Sequence, residues 1–396
     1  MRIVTSTADL DEICQVIAEH PFVTVDTEFL RESTFWPELC LLQMACPGES
    51  CIVDVLAPGL SLEPFFALMA NESVVKVFHA ARQDIEIIYN LGNLIPHPVF
   101  DTQVAAMVCG YGDSISYDQL VYRITSVRID KSSRFTDWKR RPLTEKQLNY
   151  AMADVTHLRD VYLSIKANLE EQNRAHWVAE EMEILTSPVT YDMPPRDAWQ
   201  RLKLRARRPR EFALLKLVAE WREATARQLN VPRGRIIKDE AIYEICSHPP
   251  KSFSDLGNLR GLSRGFDKNR FGNDLLEVVR KSRQIPKDQL PSLPKSRQAP
   301  EGSGAAAEVL KVLLKLLVEK HGVAAKVIAT VDELEKIAAD DNADVPALKG
   351  WRRELFGEHA LKLKNGKLAL SFDGKSVTLI DLENSGHNVR AQVAAE

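Results

Sequence analysis

The feature that most restricts the fold of this chain is a series of short apolar runs near its beginning. Runs at residues 22–26, 39–45 and 51–55 follow one another with turn residues such as Pro47-Gly48 between them and no helical pattern. This predicts three successive antiparallel strands. A helical pattern at 62–69 then leads to a fourth apolar run at 74–78. Because a strand, helix, strand connection places its two strands parallel in one sheet, we expect a mixed sheet.

Helical patterns accompany these strands and continue beyond them. They cover residues 10–19, 62–69, 82–89, 101–109, 117–124 and 144–169. Thr144 is a natural N-cap for the last of these helices. The pattern predicts that residues 1–187 form an α/β domain in which helices flank a mixed sheet. Since 396 residues are too many for one ordinary domain, we expect further domains after it.

The charges divide the chain into an acidic part and a basic part. Residues 1–180 contain 15 Lys and Arg against 25 Asp and Glu, whereas residues 201–300 contain 23 against 11. A basic helical surface is often only a solvated face, but an excess of this size favours a polyanionic partner.

The sequence shows no membrane or export signal. No run approaches the ~20 apolar residues of a membrane span, and the first residues lack the apolar core of a signal peptide. The six cysteines have no zinc-site spacing, which favours reduced thiols. We therefore expect a cytoplasmic protein without a membrane partner.

Carboxylates follow the ends of two predicted strands. Asp26 and Glu28 are two residues apart, so a strand points both to one face, where they could bind a hard cation such as Mg²⁺ or Mn²⁺. Asp84 opens the helix after the fourth strand, and Tyr150 and Asp154 lie one turn apart on a later helix. Separately, such acids are typically solvated and such a tyrosine is half-buried. Together they form an ordered set of acids with a tyrosine beside the last.

This set resembles the motifs of the DEDD exonucleases, in the subclass with tyrosine in the third motif. The other subclass has histidine where this chain has Asn149. Residues 79–84 (His-Ala-Ala-Arg-Gln-Asp), 100–103 (Phe-Asp-Thr-Gln) and 137–143 (Asp-Trp-Lys-Arg-Arg-Pro-Leu) are similar to the ribonuclease D family. The resemblance implies a ribonuclease H-like fold, in which the four acids meet at the end of the sheet.

The resemblance also implies a two-metal-ion site. The residues expected to be catalytic are Asp26, Glu28, Asp84, Tyr150 and Asp154, and the four acids are expected to ligate two divalent ions, Mg²⁺ or Mn²⁺. Two such ions, ~3.5–4 Å apart, can activate the attacking water and stabilise the leaving 3′ oxygen. Tyr150 would orient that water, because a phenol with a pKa of about 10 is a poor base at pH 7. Crowded carboxylates repel one another, so metal binding is expected to stabilise the site.

Candidate substrate contacts lie near Asp84 and in a loop-like stretch at 128–141, which holds six cations and two aromatic residues. Cations for phosphates and aromatic faces for bases are what single-strand binding uses, although a solvated loop is the competing interpretation. The predicted substrate-binding residues are His79, Gln83, Lys131, Arg134, Trp138, Arg140 and Arg141. For His79, a packed core histidine is the alternative.

The rest of the chain is predicted to be mainly helical. Residues 188–208 are expected to form a basic linker, and residues 209–285 resemble the HRDC domain, in which Trp221 is either a core residue or a base-stacking platform. Residues 286–304 are rich in Pro, Ser and Gly and predict a second linker. Residues 305–383 resemble a degenerate second HRDC-type domain that ends in a β-hairpin turning at Asp373-Gly374. Residues 384–396 are expected to form a disordered tail.

The resemblance to the ribonuclease D family implies a metal-dependent 3′→5′ exoribonuclease, expected to act as a monomer on tRNA precursors and other small structured RNAs with single-stranded 3′ ends. Two alternatives stay open. One is an RNA-binding clamp that keeps the fold without cleaving, against which the intact set of acids argues. The other is a 3′→5′ DNA exonuclease, because the chemistry at phosphorus is the same and the sequence does not place the contacts to a 2′-hydroxyl.

Overall fold

The computed structural model describes residues 2–262, 265–266, 270–294, 302–372 and 374–383. The first unit, residues 2–187, contains a six-stranded sheet. Its strands are β1 Arg2–Val4, β2 Phe22–Leu30, β3 Glu38–Cys46, β4 Glu49–Val53, β5 Val75–Phe78 and β6 Val99–Asp101. Their order is β1-β4-β3-β2-β5-β6, with β2, β3 and β4 antiparallel, β5 parallel to β2 and β6, and β1 parallel to β4. The predicted meander and the mixed sheet are confirmed, and β1 and β6 are additional edge strands.

Helices cover the two faces of this sheet. They are α1 Thr7–Ala18, α2 Glu63–Ala70, α3 Arg82–Gly92, α4 Thr102–Val108, α5 Tyr117–Thr125, α6 Glu145–Glu171 and α7 Ala175–Leu185. The six predicted helices are confirmed, whereas α7 was not predicted. As expected, Thr144 caps α6: its hydroxyl accepts the Gln147 N–H, and the Gln147 side chain accepts the Thr144 N–H.

The long helix α6 is fixed across the centre of the sheet. The hydroxyl of Thr24 in β2 lies 2.8 Å from the carbonyl oxygen of Val155 and 3.0 Å from that of Ala45 in β3. Arg159 donates to the carbonyl of Cys46 at 2.8 Å. These contacts set the position of α6 along β2 and place residue 154 beside the C-terminal half of that strand.

The second unit, residues 188–294, is helical, as predicted. Its helices are α8 Pro209–Leu229, α9 Arg233–Ile236, α10 Asp239–Ser247, α11 Phe253–Gly257 and α12 Arg270–Gln284. The segment 188–208 is more ordered than the linker that its composition predicted. It contains the 3₁₀ helices Pro188–Thr190 and Pro195–Arg201, and Leu202 is buried in the core of the unit. Trp221 packs half-buried against that core, which favours the core interpretation of this residue.

An aromatic loop of the first unit packs against a buried ion pair of the second unit. The backbone N–H groups of Phe35 and Trp36, in the loop after β2, both donate to the Asn230 side chain at 3.1 Å. The Arg233 guanidinium lies 4.4 Å from the centre of the Phe35 ring and makes two bonds, of 2.5 and 2.7 Å, to Glu223. Glu223 is only 1% exposed. The loop that continues the central strand is therefore anchored in the second unit.

The third unit, residues 302–383, is helical and ends in a two-stranded sheet. It contains α13 Ser303–His321, α14 Ala325–Ile328, α15 Val331–Ala339, α16 Gly350–Arg352, the π-helix Arg353–Gly357, α17 Glu358–Lys364, β7 Leu368–Phe372 and β8 Val377–Asp381. The predicted hairpin is confirmed. Phe372 pairs with Val377, and the described residues 374–376 lie between them, so the connection is longer than a two-residue turn. Asp373 and the predicted tail at 384–396 lie outside the described residues.

The third unit packs on α7 of the first unit. The rings of Trp177 and Trp351 stack with their centres 4.6 Å apart and their planes 11° from parallel. Next to them Arg352 and Glu181 form an ion pair of 2.6 Å in which both side chains are largely buried. The Trp351 indole N–H also donates to Glu181, at 3.1 Å. The stacked rings and the buried ion pair next to them fix the orientation of the third unit on α7.

The third unit also contacts the loop between α4 and α5. The Ala324 N–H donates to the Met107 carbonyl at 2.9 Å. The Lys326 N–H donates to Asp113 at 3.1 Å, and the Lys326 ammonium group donates to the Ser114 hydroxyl at 3.3 Å.

In the described part of the chain, every helix is too short or too polar to cross a lipid bilayer.

Candidate active site

Three of the four predicted acids lie side by side at the end of β2. Carboxylate oxygens of Asp26, Glu28 and Asp154 are within 4.8 Å of one another. The fourth, Asp84, is in the first turn of α3 and lines the same cleft. The hydroxyl of Thr27 donates to Asp84 at 2.5 Å. The structure therefore brings together all four acids that were singled out in the sequence.

The alternation of side chains along β2 explains this arrangement. Asp26 and Glu28 point to the face of the sheet that carries α6, where Asp154 meets them. Thr27 points to the other face and bonds Asp84 at the start of α3. Because β5 is parallel to β2, the helix that follows β5 begins at the same end of the sheet. Acids from both sides of the sheet thus converge at one strand end.

Burial raises the pKa of every acid in the group, and repulsion between carboxylates adds to the rise for three of them. Desolvation by burial is the main cause in each case, and the neighbouring carboxylates add to it for Asp26, Glu28 and Asp84. The pKa of Glu28 rises to about 10 and that of Asp154 to about 7. The pKa values of Asp26 and Asp84 lie well above their usual range. Such a site favours any cation that offsets the repulsion, and its all-oxygen donor set fits hard divalent ions.

Tyr150 lies one helical turn before Asp154, and its hydroxyl donates to the Asp154 carboxylate. Burial and the nearby carboxylates raise the pKa of Tyr150 above its usual value. The phenol therefore stays protonated at neutral pH and acts as a hydrogen-bond donor. Its ring packs near that of Trp138, with centres 6.1 Å apart.

Four of the predicted substrate-binding residues line a cleft of about 450 Å³ around the acids: His79, Gln83, Lys131 and Arg134. Lys131 is ion-paired with Asp118 at 2.5 Å. The cleft therefore combines the four predicted acids and Asp118 with cationic side chains from the loop after α5.

His79 combines the two interpretations that the sequence left open, because it lines the cleft but is mostly buried. Its Nδ1 is 3.0 Å from the Thr102 hydroxyl and its Nε2 is 3.2 Å from the Ile115 carbonyl, which can only accept. Burial lowers the pKa of His79 and so favours the neutral ring.

None of Trp138, Arg140 and Arg141 lines the cleft. The structure corrects the prediction for Trp138 and Arg141, whereas that for Arg140 stays a prediction. Trp138 is 2% exposed and packs under Tyr150, so its ring cannot stack on a base. The Arg141 guanidinium is occupied by the Asp54 carboxylate, at 2.6 and 2.8 Å, and by the Cys40 and Trp138 carbonyls. Arg140 is exposed outside the cleft.

The sequence interpretation also missed residues of the cleft. Of the two aromatic residues in the loop at 128–141, the one that lines the cleft is Phe135, which is 91% exposed, and not Trp138. Thr27 was passed over because it lies between the two acids on the opposite face of the strand. Tyr117, which also lines the cleft, donates its hydroxyl to the Ala153 carbonyl at 3.0 Å. In the sequence, the position of Phe135 beside cationic residues was the signal that could have identified it as a residue of the cleft.

Comparison with known proteins defines the class to which this fold and site belong. Residues 1–170 match the family model for 3′→5′ exonucleases, and residues 211–279 match that of the HRDC domain. The first unit is therefore a 3′→5′ exonuclease domain, and the second contains an HRDC domain.

Full-length relatives narrow the class to one family. Ribonuclease D of Nitrobacter hamburgensis is 55% identical over 381 residues, which cover 96% of this chain and 100% of that protein. Ribonuclease D of Bartonella henselae is 50% identical over 93% of this chain and 91% of that protein. A crystal structure of Escherichia coli RNase D, described as an exoribonuclease involved in structured RNA processing, matches with a TM-score of 0.82 at 28% identity, over 92% of this chain and 98% of that one. This chain belongs to the ribonuclease D family and is a 3′→5′ exoribonuclease.

Proposed function

We propose that this exoribonuclease trims the 3′ ends of tRNA precursors and other small structured RNAs, with two divalent ions, Mg²⁺ or Mn²⁺, held by Asp26, Glu28, Asp84 and Asp154. The observation that carries the proposal is the convergence of these four carboxylates, two buried and two half-buried, in one cleft. When bound, such ions would make the attacking water more acidic and stabilise charge on the leaving 3′ oxygen.

The residues of the chain have distinct parts in this reaction. The paired acids of β2 fix the cation positions, because a central strand of a six-stranded sheet is a rigid support. Tyr150, protonated and held by Asp154, donates a hydrogen bond toward the attacking water or the scissile phosphate and does not accept its proton. Thr27 holds Asp84 in the orientation that faces the cleft.

The other units complete the proposal. The HRDC domain in the second unit lies within the basic part of the chain and is proposed to hold RNA by its phosphates. We assign the exonuclease domain to residues 1–187, the first HRDC-type domain to 209–285 and a second, degenerate one to 305–383, whose helices α13–α17 support a helical unit of this kind. The protein is proposed to act as a monomer in the cytoplasm, where its six free cysteines stay reduced.

Degradation of a structured RNA with a single-stranded 3′ extension and a 5′ label tests the proposal. The wild type, Asp26→Asn and the control Asp160→Asn, which removes an exposed acid on α6, are compared with Mg²⁺, with Mn²⁺ and with chelator. The expected result is a ladder that shortens from the 3′ end only with metal, is abolished by Asp26→Asn and is retained by Asp160→Asn. Binding of RNA without shortening by the wild type would support a clamp instead. Equal turnover of a matched DNA would contradict selectivity for RNA.

A further inference from the structure

Phe135 is the most exposed large hydrophobic side chain among the described residues, at 91%, and it lies in the cleft that holds the four acids. A single exposed apolar side chain on a convex surface needs no explanation. Inside a cleft lined by carboxylates and cations, however, an exposed aromatic face needs one. We propose that Phe135 stacks on a nucleobase of the single-stranded 3′ end and thereby holds the RNA next to the site of cleavage. This inference rests on the proposed function.

The loop that carries Phe135 is braced on both sides of the ring. Ser133 is buried and its carbonyl accepts the Thr136 hydroxyl at 2.8 Å. Gln147, at the start of α6, donates to the Thr136 hydroxyl oxygen at 3.1 Å. Trp138 is buried beneath Tyr150. Because burial and hydrogen bonds fix its neighbours, the loop holds the Phe135 ring at the cleft although the ring itself is exposed.

The position of the Arg134 guanidinium indicates that the Phe135 ring lies near the acids. The Arg134 guanidinium lies 5.2 Å from the centre of the Phe135 ring. The same guanidinium partly offsets the rise in the pKa of Glu28 and Asp154, so it lies within electrostatic range of both carboxylates. A base stacked on Phe135 is therefore close to the scissile phosphate, and Arg134 is placed to contact a backbone phosphate of the same segment.

Among the components of RNA, only the base fits an exposed phenyl face. Phosphate needs cations or hydrogen-bond donors and the ribose hydroxyls need hydrogen-bond partners, which Phe135 cannot supply, whereas every base has a flat π-face that stacks on aromatic rings. Stacking does not depend on the identity of the base, as a processing enzyme with varied 3′ ends requires. A base that is paired in a helix cannot be reached in this way, so the contact also selects unpaired ends.

Stacking makes a quantitative prediction for Phe135→Ala. At ~1–3 kcal/mol per stacked base, RNA should bind about 5- to 150-fold more weakly. Because the contact is present both before and during cleavage, KM should rise by this factor with little change in kcat. Phe135→Tyr keeps the ring and should retain most of the affinity. The thermal midpoint should not change, because a side chain that is 91% exposed contributes little to the core.

An abasic scan separates stacking from a general effect on the loop. Dissociation constants in chelator and single-turnover rates in Mg²⁺ are measured for the wild type, Phe135→Ala, Phe135→Tyr and the control Phe372→Ala, an exposed ring on the hairpin outside the cleft. The RNAs lack the base at the first, second or third nucleotide from the 3′ end. At one position the abasic RNA should bind the wild type more weakly and abolish the difference between the wild type and Phe135→Ala, while Phe372→Ala matches the wild type throughout.

The inference is overturned if Phe135→Ala binds normal RNA as tightly as the wild type, or if its loss of affinity is the same on normal RNA and on all three abasic RNAs. A failure of the proposed function is seen separately, because wild-type protein would then leave normal RNA unshortened in Mg²⁺ and in Mn²⁺. The binding data in chelator would still decide whether Phe135 stacks.

Discussion

Asp154→Asn should make the metal-free protein more stable at neutral pH. The Asp154 carboxyl is buried on α6 and faces Asp26 and Glu28 on β2, with Tyr150 as a hydrogen-bond donor and Arg134 as the nearby cation. Its pKa rises from 3.8 to about 7 mainly through burial. An acid whose pKa is higher in the folded state stabilises the fold below its unfolded pKa and loses that stabilisation as the pH rises to the folded pKa. Ionisation of Asp154 thus destabilises the metal-free fold progressively between about pH 4 and pH 7.

The size of the expected change in unfolding free energy follows from the pKa shift of Asp154. At about 1.36 kcal/mol per pKa unit, a pKa that moves from 3.8 to about 7 corresponds to ~4 kcal/mol of unfolding free energy when the group is fully ionised. Roughly 2–3 kcal/mol of this is lost between pH 5 and pH 8. For a domain of this size, ~1 kcal/mol changes the melting midpoint by about 2–4 °C, so the midpoint of the variant should gain roughly 5–10 °C on the wild type over this range.

Calorimetry in chelator at pH 5 and pH 8 measures the effect for the wild type, Asp154→Asn and Asp160→Asn. Asp160 lies on the same helix with its side chain exposed, so its loss should leave the pH dependence unchanged. Mg²⁺ should narrow the gap at pH 8, because it stabilises the wild type by ~2.7 kcal/mol at a hundred times its dissociation constant. A gap between wild type and Asp154→Asn that is equal at both pH values, or a wild type that is the more stable protein at pH 8 in chelator, would refute the reasoning.

Three other substitutions test the packing around the site. Arg141→Lys should lower the unfolding free energy by about 1–3 kcal/mol, because lysine cannot reproduce the two bonds to Asp54, and should leave RNA affinity unchanged. Weaker RNA binding at unchanged stability would show that Arg141 contacts the substrate after all. Glu223→Gln should destabilise the second unit by about 3–5 kcal/mol in urea unfolding, since it leaves Arg233 without its buried partner, whereas no change would mean that the pair is dispensable. Gln43→Met should raise the melting midpoint of the metal-free protein by removing a buried amide that bonds to no described residue, with ~1–2 kcal/mol gained, and a lower midpoint would show that the amide is satisfied.

The central part of the sheet was predictable because its pattern is local. Each of β2, β3, β4 and β5 is a run of apolar residues bounded by turn residues, and the helix between β4 and β5 determines which strands are parallel. The edge strands β1 and β6 have three residues each, too few for any periodicity, and they are strands only because a distant partner pairs with them. The helix α7 escaped prediction for a related reason: part of its apolar surface is matched by Trp351 of the third unit.

The acids were predictable for the same reason, whereas the substrate loop was not. Spacing within one strand or one helix predicts that Asp26 shares a face with Glu28 and Tyr150 with Asp154, whereas the meeting of the acids at one site was expected from the resemblance to the DEDD exonucleases. In the loop at 128–141, the role of each side chain depends on partners far away in the sequence. Arg141 is bound by Asp54, 87 residues earlier, and this partner removes it from the substrate surface. Composition identified the loop, but only the fold distinguishes Phe135 from the buried aromatic three residues later.

The packing of the third unit on α7 also sets an order of events during synthesis on the ribosome. Glu181 and its partner Trp351 are 170 residues apart, which corresponds to on the order of 10–30 s of translation. Because domains form from the N-terminus as the chain emerges, the exonuclease domain can be complete while Trp177 and Glu181 still face water. During that interval Lys326 has not yet reached the cleft wall at Ser114. In the nascent chain, the four carboxylates are therefore in place well before the third unit packs against the wall of the cleft.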